Sequence, residues 1–141
     1  MEFSRILIPV IGDEADKEAV KLACRLAKEN EARICAIHII SIGRELPLDA
    51  EVESEISKAE DILAEIEKSA KEHSCQIETE LLQAREVGPA IIGEAIERDI
   101  DLIILGVSYK TRFGEFCLGE VVPYVLRNSP CRVILYHQRT E

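Results

Sequence analysis

The chain has 141 residues, a formal net charge of −10 and 47% hydrophobic residues, which is typical of one compact domain spanning residues 1–141. The acidic balance argues against nucleic acid as a partner, because phosphate contacts need clustered Lys and Arg. The opening "MEFSRILIPV" has no basic lead-in of the kind signal peptides carry, and no later run approaches the ~18 apolar residues of a membrane span, so we expect a cytoplasmic protein without membrane insertion.

The first part of the chain alternates apolar runs with a helical pattern. Residues 5–11 ("RILIPVI") and 33–40 ("RICAIHII") predict buried strands, because they have too few polar positions to leave one face in water. The segment between them predicts a helix with Asp13 as its N-cap. Its buried face is expected to consist of Ala19, Ala23, Leu26 and Ala27. Small residues on that face would let the helix lie close to a sheet.

A long, heavily charged helix is predicted over about residues 49–74. Its apolar positions alternate steps of four and three and are Val52, Ile56, Ala59, Leu63, Ile66 and Ala70. A coiled-coil seam has similar spacing, but three heptads flanked by strands favour a helix packed on a sheet. Residues 76–84 then alternate polar and apolar, and predict a half-exposed edge strand.

A third helix is predicted to begin at Gly88 and Pro89, with the proline at the first helical position, where its missing N–H costs nothing. Ile92, Ala95 and Ile96 are expected to form its buried face.

The last third of the chain predicts a strand, a loop, a helix and a final strand. Residues 102–106 ("LIILG") form a fully apolar central strand, and Gly106 is expected to open the loop. The fourth helix is expected to begin at Gly119, and residues 132–137 ("RVILYH") to form the last strand.

Five strands alternating with four helices predict a doubly wound α/β fold of Rossmann-like type. Right-handed crossovers favour a parallel sheet in the order 3-2-1-4-5, which places residues 5–11 beside residues 102–106. A ligand crevice is then expected at the carboxyl ends of these two strands, where the strand order reverses. In such folds, the loop that leads into a helix can form a phosphate cradle from the backbone N–H groups at the helix N-terminus. The loop between Gly106 and Gly119 resembles a loop of this kind.

The five cysteines are Cys24, Cys35, Cys75, Cys117 and Cys131, and they form no C-x-x-C pair. An odd number of scattered cysteines favours reduced thiols in the cytoplasm over a disulfide framework or a zinc site. Cys24 and Cys35 lie in apolar runs and are expected in the core, whereas Cys117 is the expected exposed thiol. Nothing in the sequence indicates the lowered pKa that a redox role for Cys117 would need.

The chain resembles the universal stress protein family from end to end. The resemblance depends on the order and spacing of the motifs "ILIPV", "AVKLACRLA", "AIHII", "VGPAIIGEAIERDIDLIILG" and "LGEVVPYVLRNSPCRVILYH". Nucleotide-binding members of that family carry glycine, two residues, glycine, nine residues, and glycine followed by Ser or Thr. Gly106 and Gly119 match the first and third glycines of this motif.

The resemblance also marks three departures from the family's nucleotide-binding pattern. Tyr109 stands at the middle glycine, Glu120 stands at the hydroxyl residue, and Ile11 aligns with the aspartate that usually follows the first strand. A lost hydroxyl donor forfeits about 1.5–3 kcal/mol, and a carboxylate ~5 Å from a phosphate adds about 3 kcal/mol of repulsion at an effective dielectric near 20. Glu120 would also interact well with the positive end of the helix, in the place of a phosphate.

These departures predict that ATP binding of the usual kind is lost and that no cofactor is required, with ATP or AMP as the alternative ligand. Lys110 and Arg112 would partly replace the lost contacts to a phosphate if the loop folded inward. The simpler interpretation is that both are charged loop residues in contact with solvent. The degenerate pocket is expected to comprise Pro9, Val10, Ile11, Ile40, Gly106, Tyr109, Gly119, Glu120 and Val121.

No residues in the sequence suggest a catalytic set or a metal site. His38 lies among isoleucines as a core residue with a satisfied hydrogen bond, His73 ends the long helix at the surface, and His137 ends the last strand. Ser108 lacks the G-x-S-x-G setting of a nucleophile elbow.

The last strand would lie at a sheet edge, and a short apolar edge needs a partner or a cover. In universal stress proteins the corresponding strand pairs antiparallel with its copy across a two-fold axis, so the resemblance implies a homodimer here. The interface is expected to include Arg132, Val133, Ile134, Leu135 and Tyr136.

Three functions remain open from the sequence. The first is a non-enzymatic, homodimeric protein that acts in stress adaptation by binding a partner or a small ligand. The second is a switch that binds ATP and hydrolyses it slowly. The third is a regulatory domain related to those appended to membrane transporters.

Overall fold

The computed structural model describes residues 2–110 and 120–140. In this part of the chain, strands and helices alternate as predicted. The elements are β1 (Arg5–Pro9), α1 (Ala15–Asn30), β2 (Arg33–Ser41), α2 (Glu53–Glu72), β3 (Glu78–Ala84), α3 (Val87–Glu97), β4 (Leu102–Lys110), α4 (Val121–Asn128) and β5 (Arg132–Thr140).

The strands form one parallel sheet in the order β3-β2-β1-β4-β5. This confirms the predicted doubly wound, Rossmann-like α/β fold and the order 3-2-1-4-5. α1 packs beside α2 and α3 packs beside α4, and the two pairs cover opposite faces of the sheet. β3 lies at one edge, as predicted, and β5 lies at the other.

Each central strand contributes alternate residues to two hydrophobic cores. Ile6 and Ile8 of β1 belong to the core under α1 and α2, whereas Leu7 belongs to the core under α3 and α4. Burial on both faces explains why these strands are apolar at nearly every position. Cys24 and Cys35 lie in these cores, as predicted, on opposite sides of the sheet.

The long helix α2 packs on the sheet, as predicted, and buries Ala59, Leu63, Ile66 and Ala70. It begins later than the expected residue 49, because a turn closed by the Ala50 N–H donating to the Pro47 carbonyl at 3.0 Å precedes it.

The carboxyl ends of β1 and β4 differ from prediction. β1 ends at Pro9 rather than residue 11, because the chain turns at Gly12, whose φ is +89°. β4 does not stop at Gly106 but continues to Lys110, paired with β5 throughout. The expectation that Gly106 opens a loop is therefore wrong.

The predicted start and buried face of α3 were partly wrong. The helix begins at Val87, so Pro89 occupies its third position, which is still within the first turn. Ala95 is buried as predicted and Ile92 is half-buried, but Ile96 is 60% exposed. Ile91, four residues before Ala95, takes the buried position instead.

Across the described ranges, 2–110 and 120–140, no helix combines the length and apolarity needed to cross a bilayer.

Candidate functional site

A crevice forms where β1 and β4 separate at their carboxyl ends. The two strands are in register at Ile6 with Leu102 and at Leu7 with Ile103. On its other side, β1 stays paired with β2 as far as Pro9. Loss of pairing on one side opens the sheet at the predicted point of strand-order reversal, which is where doubly wound folds bind ligands.

An apolar cavity of about 260 Å³ occupies this crevice. It is lined by Pro9, Val10, Ile11, Ile37, Ile39, Val87, Ile91, Leu105, Gly106, Val107, Glu120, Val121 and Val122. Glu120 is the single ionisable side chain among these lining residues. The cavity therefore offers mostly aliphatic contact, with one carboxylate among its lining groups.

A second cavity of about 360 Å³ adjoins the first and shares Val87, Glu120 and Val121 with it. Its lining also includes Arg85, but this guanidinium donates hydrogen bonds to the carbonyls of the loop after β2. Arg85, the one basic residue among the lining residues of the two cavities, thus donates to backbone acceptors.

The turn after β1 is an anion-binding nest occupied by the chain's own carboxylate. Asp16 Oδ2 accepts hydrogen bonds from three successive backbone N–H groups, at 3.1 Å from Ile11, 2.8 Å from Gly12 and 3.0 Å from Asp13. The positive φ of Gly12 helps these donors converge. In many proteins such a nest binds a phosphate or another anionic ligand.

The environment of Asp16 is otherwise unfavourable for a charge. The side chain is only 2% exposed. Burial raises its pKa to about 6, although the three hydrogen bonds act in the opposite direction. Its Oδ1 atom accepts no hydrogen bond from the described residues.

Asp13 connects the same turn to β4. Its Oδ1 accepts the Ala15 N–H at 2.8 Å, and its Oδ2 accepts the Ser108 N–H at 3.2 Å. Asp13 thus satisfies an N–H at the start of α1, but the N-cap residue is Glu14 rather than the predicted Asp13. Its carboxylate also bridges the crevice between the ends of β1 and β4.

Sequence reasoning missed Asp16, although a signal was present. Asp13 and Asp16 have the spacing of a capping box, in which an acidic side chain three residues after the cap returns to the cap's own N–H. Asp16 makes that contact and extends it to Ile11 and Gly12.

Gly106 lies inside β4, opposite Tyr136 of β5. A Cβ atom at Gly106 would lie 2.5 Å from the carbonyl oxygen of Ala15 and 3.2 Å from the Cβ of Ala19. This glycine therefore allows the first turn of α1 to approach the sheet closely, which is a packing role rather than a loop-opening one.

The crevice brings together six of the residues predicted for the pocket. They are Pro9, Val10, Ile11, Gly106, Glu120 and Val121. Glu120 is exposed and directly precedes α4, without a side-chain capping bond. Tyr109 pairs with Arg139 within the β4–β5 ladder, and Gly119 lies outside the described residues.

Ile40 does not line the crevice. Its side chain packs with Ile42 and Ala59 on the α2 side of the sheet. Ile37 and Ile39 of the same strand line the cavity instead. The two-residue period of a strand separates these sets, so a one-residue difference in alignment moves a side chain to the opposite face.

β5 presents an edge that pairs with β4 on one side and with no other described strand. Among the residues predicted for the dimer interface, Arg132 is exposed, and Val133, Ile134, Leu135 and Tyr136 are half-buried. The strand continues to Thr140, beyond the predicted end at residue 137.

His38 has a structural partner, as predicted, because its Nδ1 lies 2.8 Å from the Val10 carbonyl oxygen. His73 directly follows α2, also as predicted. The described residues contain no cluster of three or more His, Cys, Asp or Glu side chains placed to hold a metal ion. Cys117 and Arg112 lie outside the described residues.

Comparisons with known proteins agree with the fold and the motif order. A model of the universal stress protein family matches residues 2–137. A curated universal stress protein of Methanocaldococcus jannaschii is 32% identical over 139 residues, which cover 94% of this chain and 81% of that protein.

Two solved structures share the architecture. A universal stress protein from Lactobacillus plantarum has a TM-score of 0.75 and 21% identity, with 96% of this chain and 99% of that chain covered. One from Archaeoglobus fulgidus, in complex with dAMP, has a TM-score of 0.73 and 19% identity, with 96% and 98% covered. At these identities the structural likeness shows the fold alone.

Proposed function

Because this chain belongs to the universal stress protein family, we propose that it serves in stress adaptation by binding a partner or a small ligand, without catalysing a reaction and without holding ATP in the family's usual way. The observation that carries the proposal is that Asp16 and Asp13 accept the backbone N–H groups of the turn after β1 and of Ser108, which lie beside the residues that line the crevice.

A bound phosphate needs hydrogen-bond donors and positive charge. The three N–H groups of the turn after β1 already donate to Asp16, and the Ser108 N–H already donates to Asp13. Arg85 donates to carbonyls. A phosphate at these donors would have to displace a carboxylate and then remain close to it.

The cavity itself favours an uncharged, largely apolar ligand. Its lining is aliphatic apart from Glu120 and backbone groups. A carboxylate ~5 Å from a polyphosphate adds about 3 kcal/mol of electrostatic repulsion at an effective dielectric near 20. Binding energy in such a site comes mainly from buried apolar area, about 25 cal/mol per Å².

Calorimetric titrations with Mg²⁺-ATP, dAMP and adenosine test the proposal. We expect ATP to bind more weakly than the low-micromolar range and no more tightly than adenosine, because the phosphates add repulsion without new donors. Low-micromolar ATP affinity, or ATP binding at least tenfold tighter than adenosine, would contradict it.

A pair of glutamate variants tests the electrostatic reason. Glu120→Ser removes the carboxylate that lines both cavities and restores a hydroxyl, so we expect it to increase ATP affinity at least tenfold. Glu86 lines only the second cavity, so Glu86→Ser serves as the control and should leave ATP affinity within about twofold. Equal responses of the two variants would count against a specific role for Glu120.

The alternative function is an ATP-binding switch. It is favoured by the fold shared with the Archaeoglobus fulgidus protein in complex with dAMP. Nucleotide that stays bound through purification, together with strong thermal stabilisation by ATP, would support it over the first proposal.

A further inference from the structure

We propose that a cavity at the amino ends of β1, β2 and β3 binds a phosphate group, either as inorganic phosphate or on a small phosphomonoester. This arginine cavity has a volume of about 270 Å³ and is lined by Arg5, Ile6, Arg33, Ile34, Cys35, Glu78, Arg98 and Ile100. It shares no residue with the two cavities of the crevice, which lie at the opposite ends of the strands. The inference therefore does not depend on the proposed ligand of the crevice.

Two arginines lie side by side where β1 and β2 begin. Arg5 is paired with Arg33 in the parallel register of the two strands. Paired positions on neighbouring strands lie about 5 Å apart and direct their side chains to the same face of the sheet. This is the face covered by α3 and α4, because Leu7 and Cys35, two residues further along each strand, belong to the core on that face. Like charges at paired positions repel each other.

Arg98 brings a third guanidinium group to the same cavity. It directly follows α3, and its carbonyl oxygen accepts a hydrogen bond from Arg5 Nη1 at 3.1 Å. Arginine suits phosphate because its planar guanidinium presents several N–H donors in a fixed geometry. Three arginines from separate segments thus line one cavity, in a protein whose formal net charge is −10.

The carboxylates near β1 leave Arg5 and Arg33 largely without counter-ions. Arg33 forms no ion pair with any residue of the described ranges. Arg5 Nη1 lies 3.6 Å from Asp99 Oδ2, but the Asp99 side chain is 86% exposed, and such a surface pair contributes little. Asp101 accepts the backbone N–H groups of Ser4 and Arg5.

Arg98 is the well-paired member of the cluster. Its Nε donates to Glu94 Oε2 at 3.0 Å, and its Nη2 lies 3.5 Å from Glu80 Oε1. These two carboxylates hold the guanidinium in place on the α3 side of the cavity. Glu78 is the one carboxylate among the lining residues, and it forms no ion pair with the described residues.

A phosphate in the arginine cavity would reduce the repulsion between Arg5 and Arg33 and would displace only the weak contact to Asp99. Each charge-assisted hydrogen bond to it is worth about 10- to 100-fold in affinity. The organic part of a phosphomonoester would contact the lining isoleucines, and a hydroxyl group on it would donate to Glu78.

Calorimetric titrations of the full chain test the proposal, with inorganic phosphate and glycerol 3-phosphate as probes and glycerol as the uncharged control. The buffer has low ionic strength and contains no other phosphate or sulfate. We expect a submillimolar dissociation constant for at least one of the two phosphates and no binding of glycerol. Tighter binding of glycerol 3-phosphate assigns the site to a phosphomonoester, whereas equal or tighter binding of inorganic phosphate assigns it to the free ion. No binding of either at about 10 mM would overturn the proposal.

A pair of arginine variants locates the site. Arg33→Gln, an exposed change at the start of β2, should weaken phosphate binding at least tenfold. Arg25→Gln removes the same charge from an exposed position on α1, which covers the other face of the sheet, and should leave the affinity within about twofold.

Melting temperatures give a second measurement on the same variants. Saturating phosphate should raise the melting temperature of the original chain and of Arg25→Gln, but not that of Arg33→Gln. Circular dichroism checks that both variants are folded. Equal losses of affinity in the two variants would indicate a general effect of charge, and an unchanged affinity in Arg33→Gln would place the phosphate elsewhere. Either result would refute the arginine cavity as the site.

Discussion

At the scale of single residues, Asp16 carries the one buried carboxyl group in the described chain. Three backbone N–H groups stabilise its ionised form, while burial in the layer between α1 and the sheet opposes it. Burial is the larger effect, so the pKa rises from 3.8 to about 6. The Asp16 carboxyl group therefore closes the turn after β1 and also makes the free energy of unfolding of the protein depend on pH.

Asp16→Asn is expected to remove part of the pH dependence of folding. Because the pKa is raised in the folded chain, the folded state binds this proton more tightly than the unfolded state. The resulting stabilisation is complete below about pH 4, falls as the pH rises to about 6, and is absent above that. The free energy of unfolding of Asp16→Asn relative to the original chain should rise by up to about 3 kcal/mol between pH 4 and 7.

Urea unfolding at several pH values measures this difference. Glu14→Gln, an exposed change in the same turn, is the control and should change the free energy of unfolding by less than about 0.5 kcal/mol. Parallel stability curves for Asp16→Asn and the original chain would show that Asp16 does not titrate in this range.

At the scale of elements, the close approach of α1 to β4 depends on one missing side chain. The first turn of α1 lies over Gly106, where a Cβ would meet the Ala15 carbonyl oxygen at 2.5 Å. The contact is with backbone, which cannot rotate away as a flexible side chain does. Asp16 lies in the first turn of α1 and Asp13 lies two residues before the helix, so this packing positions the two carboxylates that accept N–H groups from the turn after β1 and from Ser108.

Gly106→Ala is expected to lower the free energy of unfolding by about 2 kcal/mol, because α1 or β4 must shift to admit the methyl group. Gly93→Ala is the matched control, since a Cβ there meets nothing within 4 Å. In a helix interior that change should stabilise the chain by about 0.5–1 kcal/mol. Chemical denaturation measures the free energy of unfolding of both variants. An unchanged value for Gly106→Ala would show that α1 does not approach β4 this closely in solution.

At the scale of the whole molecule, β5 is an edge strand of the sheet. It pairs with β4 along nine residues, Arg132–Thr140, and its outer edge meets no other described strand. A long unpaired edge is an aggregation hazard unless it is covered. An isologous dimer that joins two such edges would remove both at once, so the exposed edge favours the homodimer that the sequence resemblance predicts.

If the predicted dimer forms, Tyr136→Glu is expected to convert it into a monomer at micromolar concentration, because a two-fold axis beside β5 would bring the added charges close together in an already acidic protein. Ile96→Glu, at an exposed position on α3, is the control and should leave the dimer intact. Sedimentation velocity measures both variants beside the original chain. A monomeric original chain would refute the dimer.

The elements that sequence predicted well are those whose signal is local. Hydrophobic runs, helical stripes and turn residues predicted the alternation and, with the handedness of crossovers, the strand order 3-2-1-4-5. The predictions were wrong where packing against another element determines which side chain is buried. In α3, Ile91 is buried and Ile96 is exposed. The helical spacing of the apolar residues allowed either isoleucine to share a buried face with Ala95. Packing of α3 against α4 and the sheet selected the face that contains Ile91.

For the crevice, the sequence by itself determined its location, its apolar lining around residues 9–11 and 121, and the placement of Glu120 beside it. Only the tertiary structure decided how its donors are used. Asp16 reaches back to three N–H groups and Asp13 crosses to Ser108, because folding brings the turn after β1, the start of α1 and the end of β4 together. A motif records which residues are present, whereas the partners of a buried donor depend on contacts between segments distant in the chain.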